Sequence, residues 1–208
     1  TMDHVEYFFY CRDRPGTAQL RIEFVEAHWS FMDRYADAMI ARGPTLTDDG
    51  EQATGSMHRV DLPDAAAAEV FAFDEPNYRA GVYGEVLIFQ WRNLLNRTMW
   101  DFRSDAVDPA RFLVIGHARP DAGAADDARR DEFAGYTADQ DRLGRLIAVG
   151  PLRSLDAVHW LGTATLLELP DRTAVQAVLA GEPFAQAGLY AGVEIHRWQF
   201  GGRPVEPE

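Results

Sequence analysis

Lysine is absent from the 208-residue chain, and all twenty of its cations are arginine. That excludes Schiff-base chemistry, a P-loop lysine and attachment of pyridoxal phosphate, each of which needs a lysine amine. Cysteine occurs once, as Cys11, so an intrachain disulfide and a multi-cysteine metal site are excluded as well. No apolar run approaches the ~20 residues of a membrane-spanning helix. The opening Thr1-Met2-Asp3-His4 lacks the basic and apolar regions of a signal peptide, so a cytoplasmic protein with no membrane partner is expected. Positive charge is scarce: twenty arginines against 33 acids leave a net charge of −13. That sign argues against a nucleic-acid partner, because phosphate neutralisation needs clustered cations. What remains is a globular composition, 47% hydrophobic and 25% charged, long enough for one medium domain or two small ones.

The chain repeats itself. A displacement of 107 residues lays Gly43-Pro44 on Gly150-Pro151, Gly55 on Gly162 and Leu62-Pro63-Asp64 on Leu169-Pro170-Asp171. The same displacement matches Glu75-Pro76 to Glu182-Pro183, Ala80-Gly81-x-Tyr83 to Ala187-Gly188-x-Tyr190, and Trp91 to Trp198, without a gap. Upstream, Arg14-Pro15 meets Arg119-Pro120 at a displacement of 105. Coincidence does not hold so many Gly, Pro and Trp positions in one register, so the pattern is a duplication. It divides the chain into a first unit over 1–98, a connector over 99–109, a second unit over 110–200 and a tail over 201–208 expected to fray.

Each unit reads as the same order of elements. Val5 to Tyr10 and Phe112 to Ile115 are β-rich apolar runs and predict strands. Leu20, Phe24, His28, Phe31, Tyr35 and Met39 recur at spacings of three and four, which predicts one amphipathic helix ended by Gly43-Pro44. A strand around Gly55 to Leu62 follows, then an alanine-rich helix opened by Pro63 and running to Phe73. A turn at Glu75-Pro76 leads to a last strand over Tyr83 to Trp91. Strand, helix, strand, strand, helix, strand is the ferredoxin-like order, with both helices on one face of an antiparallel sheet. The other face needs a cover, which a second copy in the same chain can supply. The expected α+β architecture is therefore two βαββαβ units forming an intrachain pseudo-dimeric α+β barrel, as a monomer or as a homodimer of such chains.

At the helix-borne His28, Gly43-Pro44, Gly55-Ser56, Glu75-Pro76 and Ala80-Gly81-Val82-Tyr83, the sequence resembles the YciI-like, or YCII-related, family of dimeric α+β barrel proteins. The resemblance spans residues 5–91 and, with a weaker helix, 110–198. It implies a ferredoxin-like unit that pairs through its sheet. Relatives by fold include muconolactone isomerase, polyketide-tailoring monooxygenases and a dehydrochlorinase of chlorinated hydroquinone. The family's proposed site pairs a histidine of the first helix with the acid before the Pro that follows the second helix. Carried over by position, these are His28 and Glu75. The family's usual acid is Asp, and Asp74 stands one step earlier, so either carboxylate fills the role. In the second unit the gap-free register puts Gly135 at the position of His28, while Glu182 persists.

His28 lies on the apolar stripe, where an imidazole faces a cavity between helix and sheet. The same placement suits a core histidine bonded to a carbonyl. Glu-Pro in both units is equally a product of turn geometry. Tyr35, Ser56, Tyr78 and Trp29 are the candidates for substrate contact. The six histidines show no ligand spacing and no Gly-x-Gly-x-x-Gly opens a helix, so neither a metal nor another cofactor is expected. A cofactor-independent enzyme follows, with His28 as general acid or base in an elimination, isomerisation, dehydration or cyclisation of a small aromatic or polyketide-like molecule. The alternative is a non-catalytic module that binds a small ligand in the same cavity. One working site is expected, in the first unit; a rival site in the second would use Tyr136, Gln140 and His117.

Overall fold

Each repeat folds as β-α-β-β-α-β, and a computed structural model describes residues 4–204. In the first repeat, β1 (Val5–Asp13) leads to two short helices, α1 (Ala18–Glu23) and α2 (Val25–Asp33), and a 3₁₀ turn over Ala36–Ala38. Strands β2 (Met39–Leu46) and β3 (Ala53–Leu62), helices α3 (Ala65–Phe73) and α4 (Pro76–Arg79), and strand β4 (Tyr83–Trp91) complete it. The second repeat runs through β5 (Arg111–Ala118), α5 (Ala125–Ala128), α6 (Arg130–Arg142), β6 (Leu146–Arg153) and β7 (Trp160–Glu168). It ends with α7 (Arg172–Ala180), α8 (Pro183–Gln186) and β8 (Tyr190–Trp198). Residues 4–88 with 199–204 form one compact unit, and Phe89–Trp198 form the other. No helix among the described residues is long and apolar enough to cross a membrane.

In the first unit β3 is central, antiparallel to β1 (Phe9 opposite His58) and to β2 (Gly43 opposite Met57), with β4 beside β1. Residues directly opposite on paired strands share a face. Tyr7, Phe9 and Cys11 of β1 therefore lie with Val60, His58 and Ser56 of β3 on one buried face. The helices pack there around Phe71 of α3, whose ring lies 4.6 Å from Phe9, 4.9 Å from Tyr35, 5.7 Å from His58 and 6.0 Å from Phe31. On the opposite face of β3, Arg59 is wholly buried and ion-paired with Glu6 and Asp61, as a buried charge must be. The second unit has the matching order β8-β5-β7-β6. Its core joins Phe112, Val114, Phe133, Trp160, Val175 and Phe184.

The helical segments differ from the sequence expectation. The stripe from Leu20 to Met39 is not one helix: Phe24 breaks it at φ −100°, ψ 6°, and α2 ends at Asp33. Gly43-Pro44 is not the helix terminus but the middle of β2, whose residues alternate between buried and half-buried. Period-2 burial against β3 outweighs helical spacing there. Pro44 has no N–H to give a ladder, and its carbonyl accepts from Gln199 N at 3.3 Å. Pro63 does not open α3; Asp64 caps it, accepting from Ala67 N at 2.8 Å. Glu75-Pro76 is likewise a cap and first residue of α4 rather than a bare turn.

The expected fraying of the tail does not hold for residues 201–204. Gly201 N bonds to Arg42 O at 3.0 Å, and Arg203 pairs with Glu26 and Asp33 of α2 at 2.7 and 3.3 Å. Residues 205–208, and the opening 1–3 read for a signal peptide, lie outside the described residues.

Candidate active site

His28 is held on the inner face of α2 and stands over the start of α4. Its Nδ1 makes a short hydrogen bond to Glu75 Oε1. Glu75 is 2% exposed, and its carboxylate has two further duties. It accepts from Asn77 N at 3.0 Å and Tyr78 N at 3.2 Å, capping α4 over Pro76 at the first helical position. Three donors thus fix the acid, and the acid fixes the imidazole. With Nδ1 donating to the carboxylate, Nε2 is the ring nitrogen left to exchange a proton.

A chain of polar groups flanks the pair. Asp13 grips Arg21 with both oxygens, at 2.6 and 3.0 Å, and Arg21 donates onward to Ser56 Oγ at 2.6 Å. Tyr83 donates to the same Oγ at 3.0 Å and accepts from Asn77 Nδ2 at 3.3 Å. Burial first, then the nearby Glu75 carboxylate, hold the Tyr83 hydroxyl neutral, well above the usual phenol range. The His58 ring lies tilted at 59° to the His28 ring, with centroids 5.6 Å apart. Burial first, then coupling to the His28 ring and to the Arg42 and Arg21 guanidiniums, push His58 well below the ordinary histidine range, so it is a neutral imidazole.

These residues enclose a cavity of about 70 Å³. Arg21, His28, Trp29, Arg42, Ser56 and His58 line it, with Gly201 and Gly202 of the tail along one side. Of the candidates read from the sequence, His28, Trp29 and Ser56 reach this space, and Glu75 supports His28 from behind. Asp74 does not take part: its carboxylate pairs with Arg79 at 2.5 Å on the surface. Tyr35 packs edge-on against Phe71, and Tyr78 lies half exposed against Phe73 at 4.9 Å. Arg21, Arg42, His58 and Asn77 are the residues the sequence reading missed. The signal for His58 was its place two residues after Ser56, on the same strand face; Arg42 and Arg21 carried none.

The second unit holds a different constellation. Gly135, aligned with His28 in the gap-free register, points to open space on the exposed face of α6. Tyr136 takes the inward position instead and lines a largely apolar cavity of about 30 Å³ with Glu182 and Tyr190. Tyr136 donates to Val178 O at 2.8 Å, and the Tyr190 hydroxyl meets Thr163 Oγ1 at 2.5 Å. Burial raises the Glu182 carboxyl above its usual range despite bonds from Phe184 N, Tyr190 and Ala185 N. The rival set of Tyr136, Gln140 and His117 is not brought together. Gly116 faces the cavity, so its strand neighbour His117 faces away, where it bonds to Glu194. Gln140 accepts from Arg145. Among the described residues, no group of three or more His, Cys, Asp or Glu is arranged to hold a metal ion.

The YCII-related domain matches the chain twice, over residues 5–92 and 110–199. No curated protein matches it. Among solved structures, a chlorite dismutase variant from Candidatus Nitrospira defluvii is 11% identical, covering 94% of this chain and 91% of that one with a TM-score of 0.58. An anthrone oxidase-like protein is 10% identical, covering 95% and 91% with a TM-score of 0.57. Over both repeats the chain has the dimeric α+β barrel fold of these structures. The 5-chloro-2-hydroxyhydroquinone dehydrochlorinase of Burkholderia phenoliruptrix AC1100, solved with 2,5-dihydroxybenzoquinone, is 24% identical; it covers 44% of this chain and 98% of that one, with a TM-score of 0.41.

Proposed function

The chain belongs to the YCII-related family, with the family's domain present twice, and we propose that it is a cofactor-independent enzyme whose first unit catalyses proton transfer on a small organic molecule. The observation that carries this reading is the His28–Glu75 pair, buried behind a cavity and held by three donors on one carboxylate. A carboxylate behind imidazole Nδ1 selects one tautomer and stabilises the imidazolium that forms when Nε2 takes a proton. Such a base supplies about 10²- to 10⁴-fold by itself, which suits substrates that are already acidic, such as phenols, enols and β-dicarbonyls.

In this reading His28 Nε2 removes a proton from carbon or oxygen and returns it to a neighbouring atom or a leaving group. Elimination, isomerisation, dehydration and cyclisation all fit that sequence. Trp29 and Ser56 position the substrate. The second unit serves as scaffold, because Tyr136 and Glu182 offer no imidazole. An aromatic substrate projects from the cavity or displaces part of its wall, since about 70 Å³ is half of the roughly 150 Å³ that encloses a benzene.

The test is deuterium incorporation from D₂O into a panel of enolisable ketones and substituted phenols, followed by NMR. Wild-type protein should accelerate exchange or elimination for at least one compound, and His28→Asn should not. Acceleration of none, or acceleration that survives His28→Asn, overturns the reading.

A further inference from the structure

The wall of the His28 cavity is one-sided in charge. The guanidiniums of Arg21 and Arg42 line it beside the imidazoles of His28 and the neutral His58, and among the described residues no carboxylate does. Glu75 sits behind His28, and Asp13 is occupied by Arg21. Arg21 is clamped in two directions, by Asp13 and by Ser56, and so is fixed in place.

Arg42 is placed differently, by the C-terminal segment. Gly201 N bonds to its carbonyl, and Gly202 passes across its guanidinium with φ +110°. A Cβ on Gly202 would collide with the Arg42 guanidinium, and that φ is one that L side chains rarely adopt. The segment is anchored beyond this point by Arg203, which pairs with Glu26 and Asp33 and lies 5.7 Å over the Trp29 ring. Residues 201–203 therefore border a guanidinium in a cavity of the first unit.

We propose that this cavity takes a substrate that carries an organic carboxylate and that Arg42, seated by Gly202, is the residue that meets the negative oxygen. This rests on reading the cavity as the working site and names the substrate class for it. A fixed guanidinium binds such an oxygen through charge-assisted, often paired N–H bonds. The same contact would stabilise negative charge that develops when His28 removes a proton. Arg42 is then a specificity-determining residue, and Gly202 a positioning residue.

The experiment is calorimetric titration of the full chain with benzoate and with its neutral counterpart benzamide, at fixed ionic strength, in wild type, Arg42→Gln, Gly202→Ala and His28→Asn. Benzoate should bind saturably and about tenfold or more tighter than benzamide. Arg42→Gln should abolish that preference and Gly202→Ala should weaken it severalfold, the loss falling mainly on benzoate and much less on benzamide. If Arg42→Gln fails to fold, Gly202→Ala decides. No saturable benzoate binding, equal binding of the two probes, or a preference that survives the decisive variant overturns the inference. His28→Asn separates it from the proton-transfer reading: that variant should keep the benzoate preference while losing turnover. A kept preference with full turnover sinks the base and spares the anion site; a missing preference with His28-dependent turnover does the reverse.

Discussion

Glu75 and Glu182 cap equivalent helices in the two units through the same pair of bonds, each carboxylate accepting from the second and third residues after it. Glu75 takes Asn77 N and Tyr78 N; Glu182 takes Phe184 N and Ala185 N. Both precede a proline at the first helical position. What differs is the neighbour across the groove, His28 for Glu75 and the inward Tyr136 near Glu182. Capping alone accounts for Glu-Pro in both repeats. The imidazole partner stands in the first repeat alone.

That double duty is separable. Glu75→Ala should destabilise the chain by about 0.5–2 kcal/mol through loss of the cap, and should also free His28. Glu75→Gln keeps an oxygen for the cap but no charge for the ring. Its stability should lie nearer wild type, while nitrogen NMR of His28 should change from a single Nδ1-protonated tautomer to a mixture. An unaltered His28 spectrum in Glu75→Gln would refute the tautomer assignment.

His58 gives the fold a pH dependence of known sign. The unfolded chain takes up a proton near the ordinary value of 6.5, whereas the folded chain resists it until far lower pH. Between those limits the unfolded state binds more protons, so stability falls as pH drops below about 6.5. His58→Phe removes the titrating group. The decline of Tm between pH 7 and pH 5 should be shallower in the variant, whatever its absolute Tm; an equal slope counts against a neutral His58.

Glu182 works in the opposite sense. Its folded carboxyl is raised above the ordinary 4.5, so its contribution is complete in acid and is lost as pH climbs from 4.5 to the raised value. The stability of Glu182→Gln relative to wild type should therefore improve as pH increases through that window, measured by urea denaturation. The slope is the readout, because glutamine gives up one of the two carboxylate acceptors. A constant difference across the window would show that Glu182 is not perturbed.

Phe71 joins the helices to the sheet beneath the site. Phe71→Ala removes ring contacts with Phe9, Phe31, Tyr35 and His58 and should cost about 3–5 kcal/mol by chemical denaturation. Phe73→Ala, a partly exposed neighbour, should cost far less. Similar losses for the two would contradict Phe71 as the centre of this core.

The duplication, the order of elements and the ferredoxin-like unit were legible in the residues. Gly, Pro and Trp mark turns and buried positions through local geometry, and local geometry repeats with the sequence. The pairing of a helix histidine with an acid before a proline came only from the family resemblance, which left the choice of acid open. The end of the first helix was not legible, because Phe31, Tyr35 and Met39 fit a helical stripe and a strand entry equally until β3 supplies a partner for β2. The inward side chain of α6 was not legible for a related reason: Gly135 lies on the exposed face while its neighbour Tyr136 lines the cavity, and a single step along a helix turns a side chain by about 100°. Arg21 and Arg42 lie twenty-one residues apart and meet only when α1 and β2 bring them to one cavity with the tail. By itself the sequence determined the repeated unit and the order of its elements, since these depend on neighbours along the chain. Tertiary structure alone decided that Glu75 rather than Asp74 faces His28, and that two arginines and a C-terminal glycine close around them. Those choices depend on direction in space, which a residue acquires only after the sheet and helices have packed.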